Sequence, residues 1–360
     1  MAYSVKHITT FRYNPGVRES VMEVRMQPRT DFRQRCLSFS LDVTPRAHMM
    51  MYRDFYGNSV HNFDIPERQT LIELSAQAIV DVLPAPELAH GDGHNWTELD
   101  VRIEESDYWE MLLASQYARP TDLLKKLATE LDLTRRENPY DLLSELNVRL
   151  YEMFDYVPNS TEVDSPIDDA LRSRRGVCQD FAHIMITLVR QLKIPCRYVS
   201  GYLYHQDKSM DRSPAGATHA WVEAYLGDLG WVAFDPTNNL VGCDRHVRVA
   251  VGRDYADVPP NRGVYKGEAE SELSVLVTVL PVDAPEPEEL PPTTVFRSKP
   301  LSAESAALNH QQQQQQQQSN FEAASGYFSH SKRRLVDFRS AENCSDVEKP
   351  MMQSCPFKSR

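Results

Sequence analysis

The sequence predicts an α+β protein in three stretches: a β-sandwich-like unit over residues 1–95, a unit of helices packed on an antiparallel sheet over residues 96–282, and a disordered tail over residues 283–360. Three observations predict it. Apolar residues alternate early in the chain, recur at helical spacing from about Tyr108, and alternate again on both sides of a short turn downstream of an apolar helix.

In the first stretch Tyr3, Val5, His7, Thr9, Phe11 and Tyr13 keep one parity, as do Met22, Val24 and Met26, and again Leu37, Phe39, Leu41 and Val43. Residues of one parity share a strand face. Breaks at Asn14-Pro15-Gly16, Gln27-Pro28-Arg29 and Tyr56-Gly57-Asn58 divide the stretch into short strands. The period then changes. Trp109, Leu112 and Leu113, next Leu123, Leu124 and Leu127, and next Leu142, Leu143, Leu146, Leu150 and Phe154 recur every three or four positions, so helices come before the middle of the chain. Tyr156 to Pro166 reads as a loop, with Tyr156 packed within it.

Phe181, Ile184, Met185, Leu188, Val189 and Leu192 then mark the buried face of an amphipathic helix, which Pro195 ends. Gly176 gives the helix a flexible lead-in, so Cys178 falls in its first turn. Unpaired backbone N–H groups and the positive end of the helix dipole favour a thiolate there, and a neighbouring imidazolium strengthens the effect. Cys196 to Tyr204 reads as a strand and Gln206 to Gly216 as a loop. A strand from Thr218 carries His219, turns through Gly227-Asp228-Leu229-Gly230, and returns as Trp231 to Asp235 before Pro236. His219 and Asp235 therefore lie at the same end of one hairpin. An acid that orients an imidazole, which in turn activates a thiol, is the arrangement for nucleophilic attack on amide or ester carbonyls. Cys178, His219 and Asp235 are the candidate catalytic residues. Asp180 and His183 read as a first-turn acid and a packed polar residue, Trp221 and Trp231 as core aromatics, and Arg172, Arg174 and Arg175 as a solvated basic turn. Val247 to Val251 and Leu273 to Leu280 are expected to be further strands of the catalytic sheet.

The runs Gly-Val-Cys-Gln-Asp-Phe-Ala at 176 to 182, His-Ala-Trp-Val-Glu at 219 to 223 and Gly-Trp-Val-Ala-Phe-Asp-Pro-Thr-Asn at 230 to 238 resemble the transglutaminase-like superfamily, especially its bacterial members. His7, Pro28, Asp54, Gly57 and Asn58 resemble the N-terminal region that accompanies those members, and are read as architectural. The resemblance spans residues 1 to 282. It implies a papain-like core, Cys178 as nucleophile, His219 as general base and acid, Asp235 as orienting carboxylate, and an acyl-enzyme route. Calcium accompanies some animal members, but the chain has no Asp-x-Asp-x-Asp-Gly loop, so no cofactor is expected.

A net charge of −12 over 360 residues argues against nucleic acid as a partner. No apolar window reaches the ~18 residues of a spanning helix, so no membrane partner is expected. Cys36, Cys196 and Cys243 are scattered, Cys344 and Cys355 lie in the tail, and neither a zinc site nor a disulfide framework is indicated. A cytoplasmic protein acting on a peptide or protein substrate is expected, with its oligomeric state open. The tail carries a glutamine run at 311–318, and its sparse apolar residues cannot offset the entropy of ordering. Three functions stay open. They are hydrolysis of peptide or other amide bonds, transfer of the acyl group to an amine as in a protein-glutamine gamma-glutamyltransferase, and a binding module that retains the fold. Hydrolysis leads because water is the default acceptor, and the intact triad disfavours the binding module.

Overall fold

β1 (Ala2–Val24) organises the N-terminal part of the computed structural model, which describes residues 1–84, 95–136, 138–206, 209–242 and 244–283. It is followed by β2 (Gln34–Thr44), β3 (Met49–Arg53), β4 (Ser59–Ile65) and β5 (Gln69–Val82). The first part of β1 pairs antiparallel with β5, and its later part with β4. The break expected at Asn14-Pro15-Gly16 does not end the strand. It marks a shift in the pairing with β5 between Arg12 and Val17, where β1 passes from one half of the sheet to the other. Phe11, Ile72 and Leu74 from one half pack with Met22, Val24 and Phe63 from the other. This internal core is what the early alternation encodes.

The helices follow. α1 (Trp96–Glu104) starts at Asn95, whose side chain accepts the Glu98 N–H while Glu98 reaches back to the Asn95 N–H. The sequence reading did not mark this helix, because its mean hydropathy is low and Leu99 is its one buried residue. The period at Trp109–Leu112 resolves as a single 3-10 turn. α2 (Asp122–Glu130) is capped by Thr121 and α3 (Pro139–Met153) by Asn138, whose Oδ1 accepts the Asp141 N–H at 2.7 Å ahead of Pro139. β6 (Asp155–Tyr156) follows, then α4 (Ile167–Ser173), β7 (Arg175–Gly176) and α5 (Cys178–Gln191). β6 and β7 pair in parallel, setting Tyr156 beside Gly176 just ahead of Cys178.

α5 is buried on nearly every side, from Gln179 through Arg190, and is not the one-faced helix that the sequence suggested. Its polar positions are satisfied locally. Thr187 Oγ1 donates to the His183 carbonyl at 2.7 Å, and the Arg190 guanidinium donates to the carbonyls of Met111, Cys196 and Arg253. α5 packs against β8 (Cys196–Leu203) and β9 (His219–Tyr225), with Phe181, Ile184 and Leu188 joining Ala220, Val222 and Ala224 in the main core. β10 (Trp231–Asp235), β11 (Leu240–Val241) and β12 (His246–Gly252) complete an antiparallel sheet in the order β11-β10-β9-β8-β12.

β13 (Asn261–Lys266) and β14 (Glu270–Val282) then correct one expectation. The segment Leu273 to Leu280 was read as part of the catalytic sheet, yet β14 pairs with β1 in continuous register from Ala2↔Val282 to Asn14↔Glu270, and β13 pairs with the later part of β1. An alternating strand records which face is buried but not which partner it meets. The N-terminal sheet therefore has seven strands, two of them from the end of the described chain. No described helix is long and apolar enough to cross a membrane. The tail from residue 284 onward, with the glutamine run and the cysteines at 344 and 355, lies outside the described residues, as does Cys243.

Side-chain amides dock the N-terminal sheet on β12. Asn58 donates from Nδ2 to the Val251 carbonyl at 2.8 Å and accepts the Val251 N–H at 2.8 Å, and Gln34 makes the same pair of bonds to Arg248 at 2.8 and 2.8 Å. Each amide thus stands in for a neighbouring strand's peptide group. Asp54 caps the turn as expected, accepting the N–H groups of Tyr56 and Asn58. His7 bonds Tyr202 of β8 through Nδ1 at 2.9 Å and Thr9 through Nε2 at 3.0 Å, and burial lowers its pKa to about 4.

Candidate active site

Cys178 is the first residue of α5 and is half-buried against the main core. Its position depends on Asp180, which folds back to accept the Val177 N–H at 2.8 Å and the Thr161 hydroxyl at 2.5 Å. Burial raises the Asp180 pKa, and these two bonds work against the rise. Gly176 makes the fold-back possible, since a Cβ there would stand 2.9 Å from both Asp180 Cβ and Oδ2. The neighbouring loop is tied down by Gln179, whose Nε2 donates to the Val163 carbonyl at 2.9 Å. Gly176→Ala is expected to displace the Asp180 carboxylate, destabilising the protein by about 1–3 kcal/mol and slowing alkylation of Cys178 by iodoacetamide about tenfold. Thermal melts and mass-spectrometric labelling read the two effects; unchanged labelling would mean that Asp180 does not set the cysteine's position.

His219 opens β9 and Asp235 closes β10, so the hairpin brings them to one end as the sequence predicted. His219 Nε2 donates to Asp235 Oδ2 at 2.8 Å, and both residues are buried. The Cys178 sulfur also acts on the His219 ring, through a side-chain hydrogen bond first and then through its charge. Burial alone would lower the pKa of this imidazole. The charge and hydrogen bond of Asp235, followed by the influence of Cys178, overcome that and raise it to about 10. Burial likewise opposes the Asp235 charge, but His219 and then His246 hold its carboxyl well below the usual carboxylate range.

Asp235 is more heavily bonded than the sequence reading indicated. Its Oδ1 accepts the N–H groups of Thr237 at 3.0 Å and Asn238 at 3.3 Å. Its Oδ2 accepts from His219, from His246 Nε2 at 3.1 Å and from Asn238 Nδ2 at 2.9 Å. Asn238 is fixed in turn, its Oδ1 accepting the N–H groups of Arg212 at 2.8 Å and Ser213 at 3.0 Å. Asn238 stands in the run that carries the resemblance and could have been found there. His246 lies outside every motif and gives no local signal.

The residues set aside behave structurally. His183 stacks on Tyr117 with ring centroids 5.5 Å apart and accepts the Tyr255 N–H at 3.2 Å, and burial lowers its pKa to about 4. Trp221 is fully buried, and Trp231 lies under the Arg197 guanidinium at 4.1 Å. Both also line a small cavity of about 30 Å³ where Arg33, Val82 and Leu83 of the N-terminal part meet Glu223, His246 and Arg248 of the core. Tyr156 is half-buried. Its pKa is raised by burial first and then by Cys178 and Asp180, and it borders an open cleft with Asp155, Val157, Arg175 and Arg212.

Among the described residues, His219, Asp235 and His246 are a group with donor atoms close enough to hold a metal ion. Those same atoms are engaged with one another at 2.8 and 3.1 Å, and Asn238 Nδ2 occupies a further position on Asp235 Oδ2. The donor set fits a carboxylate clasped by N–H groups better than a cation site.

A helix-terminal thiol, a strand-borne imidazole and a buried carboxylate meet on an α+β core. Residues 125–236 match the transglutaminase-like superfamily, and residues 3–81 match the bacterial transglutaminase-like N-terminal region. An uncharacterized protein of Mycobacterium leprae is 31% identical over 277 residues, covering 76% of this chain and 97% of its own. One from Mycobacterium tuberculosis is 33% identical over 293 residues, covering 78% and 93%. A solved structure from Cytophaga hutchinsonii, a cysteine protease by provisional assignment, matches with a TM-score of 0.62 at 26% identity over 79% of this chain and 92% of that one. A protein-glutamine gamma-glutamyltransferase of Pseudomonas aeruginosa is 30% identical over 146 residues, 38% of this chain and 21% of that protein. The chain belongs to the transglutaminase-like superfamily.

Proposed function

We propose that the protein is a cysteine hydrolase that cleaves peptide or other amide bonds through a thioester on Cys178. The observation that carries this reading is the buried His219 bonded through Nε2 to Asp235 Oδ2 at 2.8 Å, with Cys178 at the first position of α5. His219 takes the Cys178 thiol proton as general base. The Cys178 thiolate attacks the amide carbonyl, and the backbone N–H of Cys178, at the orphan-donor end of α5, donates to the developing oxyanion. The C–N bond breaks as His219 gives its proton to the leaving amine. Neutral His219 then takes a proton from water, the hydroxide adds to the thioester, and the acid leaves as the thiolate returns. Asp235 stays ionised throughout and holds the ring. The Cytophaga hutchinsonii structure supports hydrolysis, whereas the Pseudomonas aeruginosa relative supports a second reading in which an amine resolves the same thioester.

A glutamine-containing peptide library offered with and without a fluorescent primary amine separates the two. Cleavage or deamidation that is lost in Cys178→Ala, without amine incorporation, is the expected result. Cys178-dependent incorporation would replace the hydrolase with a transferase. Cys36, whose pKa burial raises, is the internal reference for reactivity. Alkylation of Cys178 no faster than Cys36 would sink the enzyme reading altogether.

A further inference from the structure

We propose that His246 is a positioning residue for the reaction, holding the Asp235 carboxylate in the orientation that His219 requires. The inference rests on the reading of Cys178 as nucleophile and concerns how its base is aimed. His219 Nε2 and His246 Nε2 converge on one oxygen, Asp235 Oδ2, at 2.8 and 3.1 Å, and all three side chains are buried. An imidazole nitrogen that close to a carboxylate oxygen donates its proton, so His246 carries a proton on Nε2.

The origin of each anchor gives His246 its importance. The terminal torsion of an aspartate is broad and nearly two-fold, so the carboxylate turns unless its oxygens are held. The Thr237 and Asn238 backbone N–H groups, which hold Oδ1, lie on the turn that follows Asp235, and Asn238 Nδ2 ties Oδ2 to the loop of Arg212 and Ser213. His246 comes from β12, which β8 separates from β9. Its bond therefore adds a reference to the far side of the sheet, which neither the turn nor the Arg212–Ser213 loop supplies. Trp221 keeps both rings in place, its ring stacked at 6.0 Å from His219 and tilted at 4.7 Å from His246. A base displaced by even a fraction of its hydrogen-bond length loses much of its rate.

The experiment uses the full chain with p-nitrophenyl acetate as acyl donor. The burst of p-nitrophenolate reads acylation of Cys178, and the steady state reads hydrolysis of the acetyl thioester by the water that His219 activates. In His246→Asn the amide N–H sits at the reach of the imidazole Nδ1, whereas in His246→Gln it sits at the reach of Nε2. His246→Asn is expected to slow deacylation about 10- to 100-fold with KM unchanged, and His246→Gln to restore it to within about threefold. A purely structural role predicts something else, namely deacylation that follows the melting temperature in both variants alike. That result, or an Asn variant deacylating at the wild-type rate, would overturn the proposal. The wild-type protein gives an independent check: nitrogen-15 histidine spectra are expected to show His246 protonated at Nε2, and a proton on Nδ1 alone would refute the role without any variant. If Cys178→Ala releases p-nitrophenolate as fast as the wild type, the nucleophile reading fails. A silent Cys178→Ala beside an unaffected His246→Asn brings down the positioning role alone.

Discussion

Asp235→Ala is expected to lower Cys178-dependent turnover by about 10³- to 10⁴-fold, the scale on which loss of an orienting carboxylate acts, and to destabilise the fold by about 3–5 kcal/mol. Both effects come from one cause. The substitution strands the N–H groups of His219, His246, Asn238 and Thr237 in a buried space, where each unsatisfied donor carries a desolvation cost. It also removes what holds the His219 pKa up, so burial prevails and the ring becomes neutral below its ordinary value. The sign follows from linkage. In the wild type, the raised His219 contributes stability that is complete below pH 6.5 and disappears as pH rises through about 10. Asp235, held low, contributes stability above the unfolded aspartate value of ~3.9 that is lost as pH falls toward its own depressed pKa. Urea unfolding from pH 4 to pH 10 should therefore show the stability gap between wild type and variant narrowing at the alkaline end. A gap that stays constant across that range would show that the His219–Asp235 pair is not the source of the lost stability.

Glu223→Gln is expected to destabilise by about 3–5 kcal/mol, because it leaves the Arg197 guanidinium without its counter-charge and Arg248 with Asp31 alone. Glu223 Oε2 accepts from Arg197 Nε at 2.9 Å and Nη2 at 2.6 Å, and Oε1 accepts from Arg248 Nη1 at 3.3 Å. The Glu223 side chain is 2% exposed, and those of Arg197 and Arg248 are 14% and 9% exposed, so solvent offers little relief. Burial opposes the Glu223 charge, but Arg197 and then Arg248 keep its carboxyl below the usual range. Its contribution is thus present above the unfolded glutamate value of ~4.3 and is lost as pH falls through the folded one. Chemical denaturation at neutral pH should reveal the full loss, and the difference should shrink in acid. Equal stability of Glu223→Gln and wild type at neutral pH would mean that the two arginines reach water after all. Arg248 also donates to Asp31 at 2.9 Å, so the cluster joins the N-terminal sheet to the core and its loss should weaken both.

The legible parts of the site were those fixed by local pattern. Cys178 sits at the start of a helix that the apolar spacing and Gly176 define, and His219 and Asp235 sit at the open end of a hairpin whose turn residues are visible. What could not be read depends on partners far away in sequence. His246 is a single histidine in an alternating strand, and nothing in its neighbours says that its ring meets Asp235. Asn58 has the composition of a turn former, yet its side chain pairs with the peptide group of Val251, 193 positions on. β14 alternates as any half-buried strand does, and its partner β1 lies at the other end of the described chain. Such pairings are set by tertiary complementarity, to which local propensity is blind.

The return of β14 to β1 also orders events in time. The chain is made from its N-terminus, so β1 and β5 leave the ribosome long before Glu270–Val282 exists. Until then the side of β1 that β14 will cover presents unpaired N–H and C=O groups, with Tyr3, Val5 and Phe11 alternating along it. Closing that edge needs a contact between the two ends of the folded region, among the slowest kinds to form. The nascent protein therefore carries an open strand through most of its synthesis, and the last strand made is the one that seals the first.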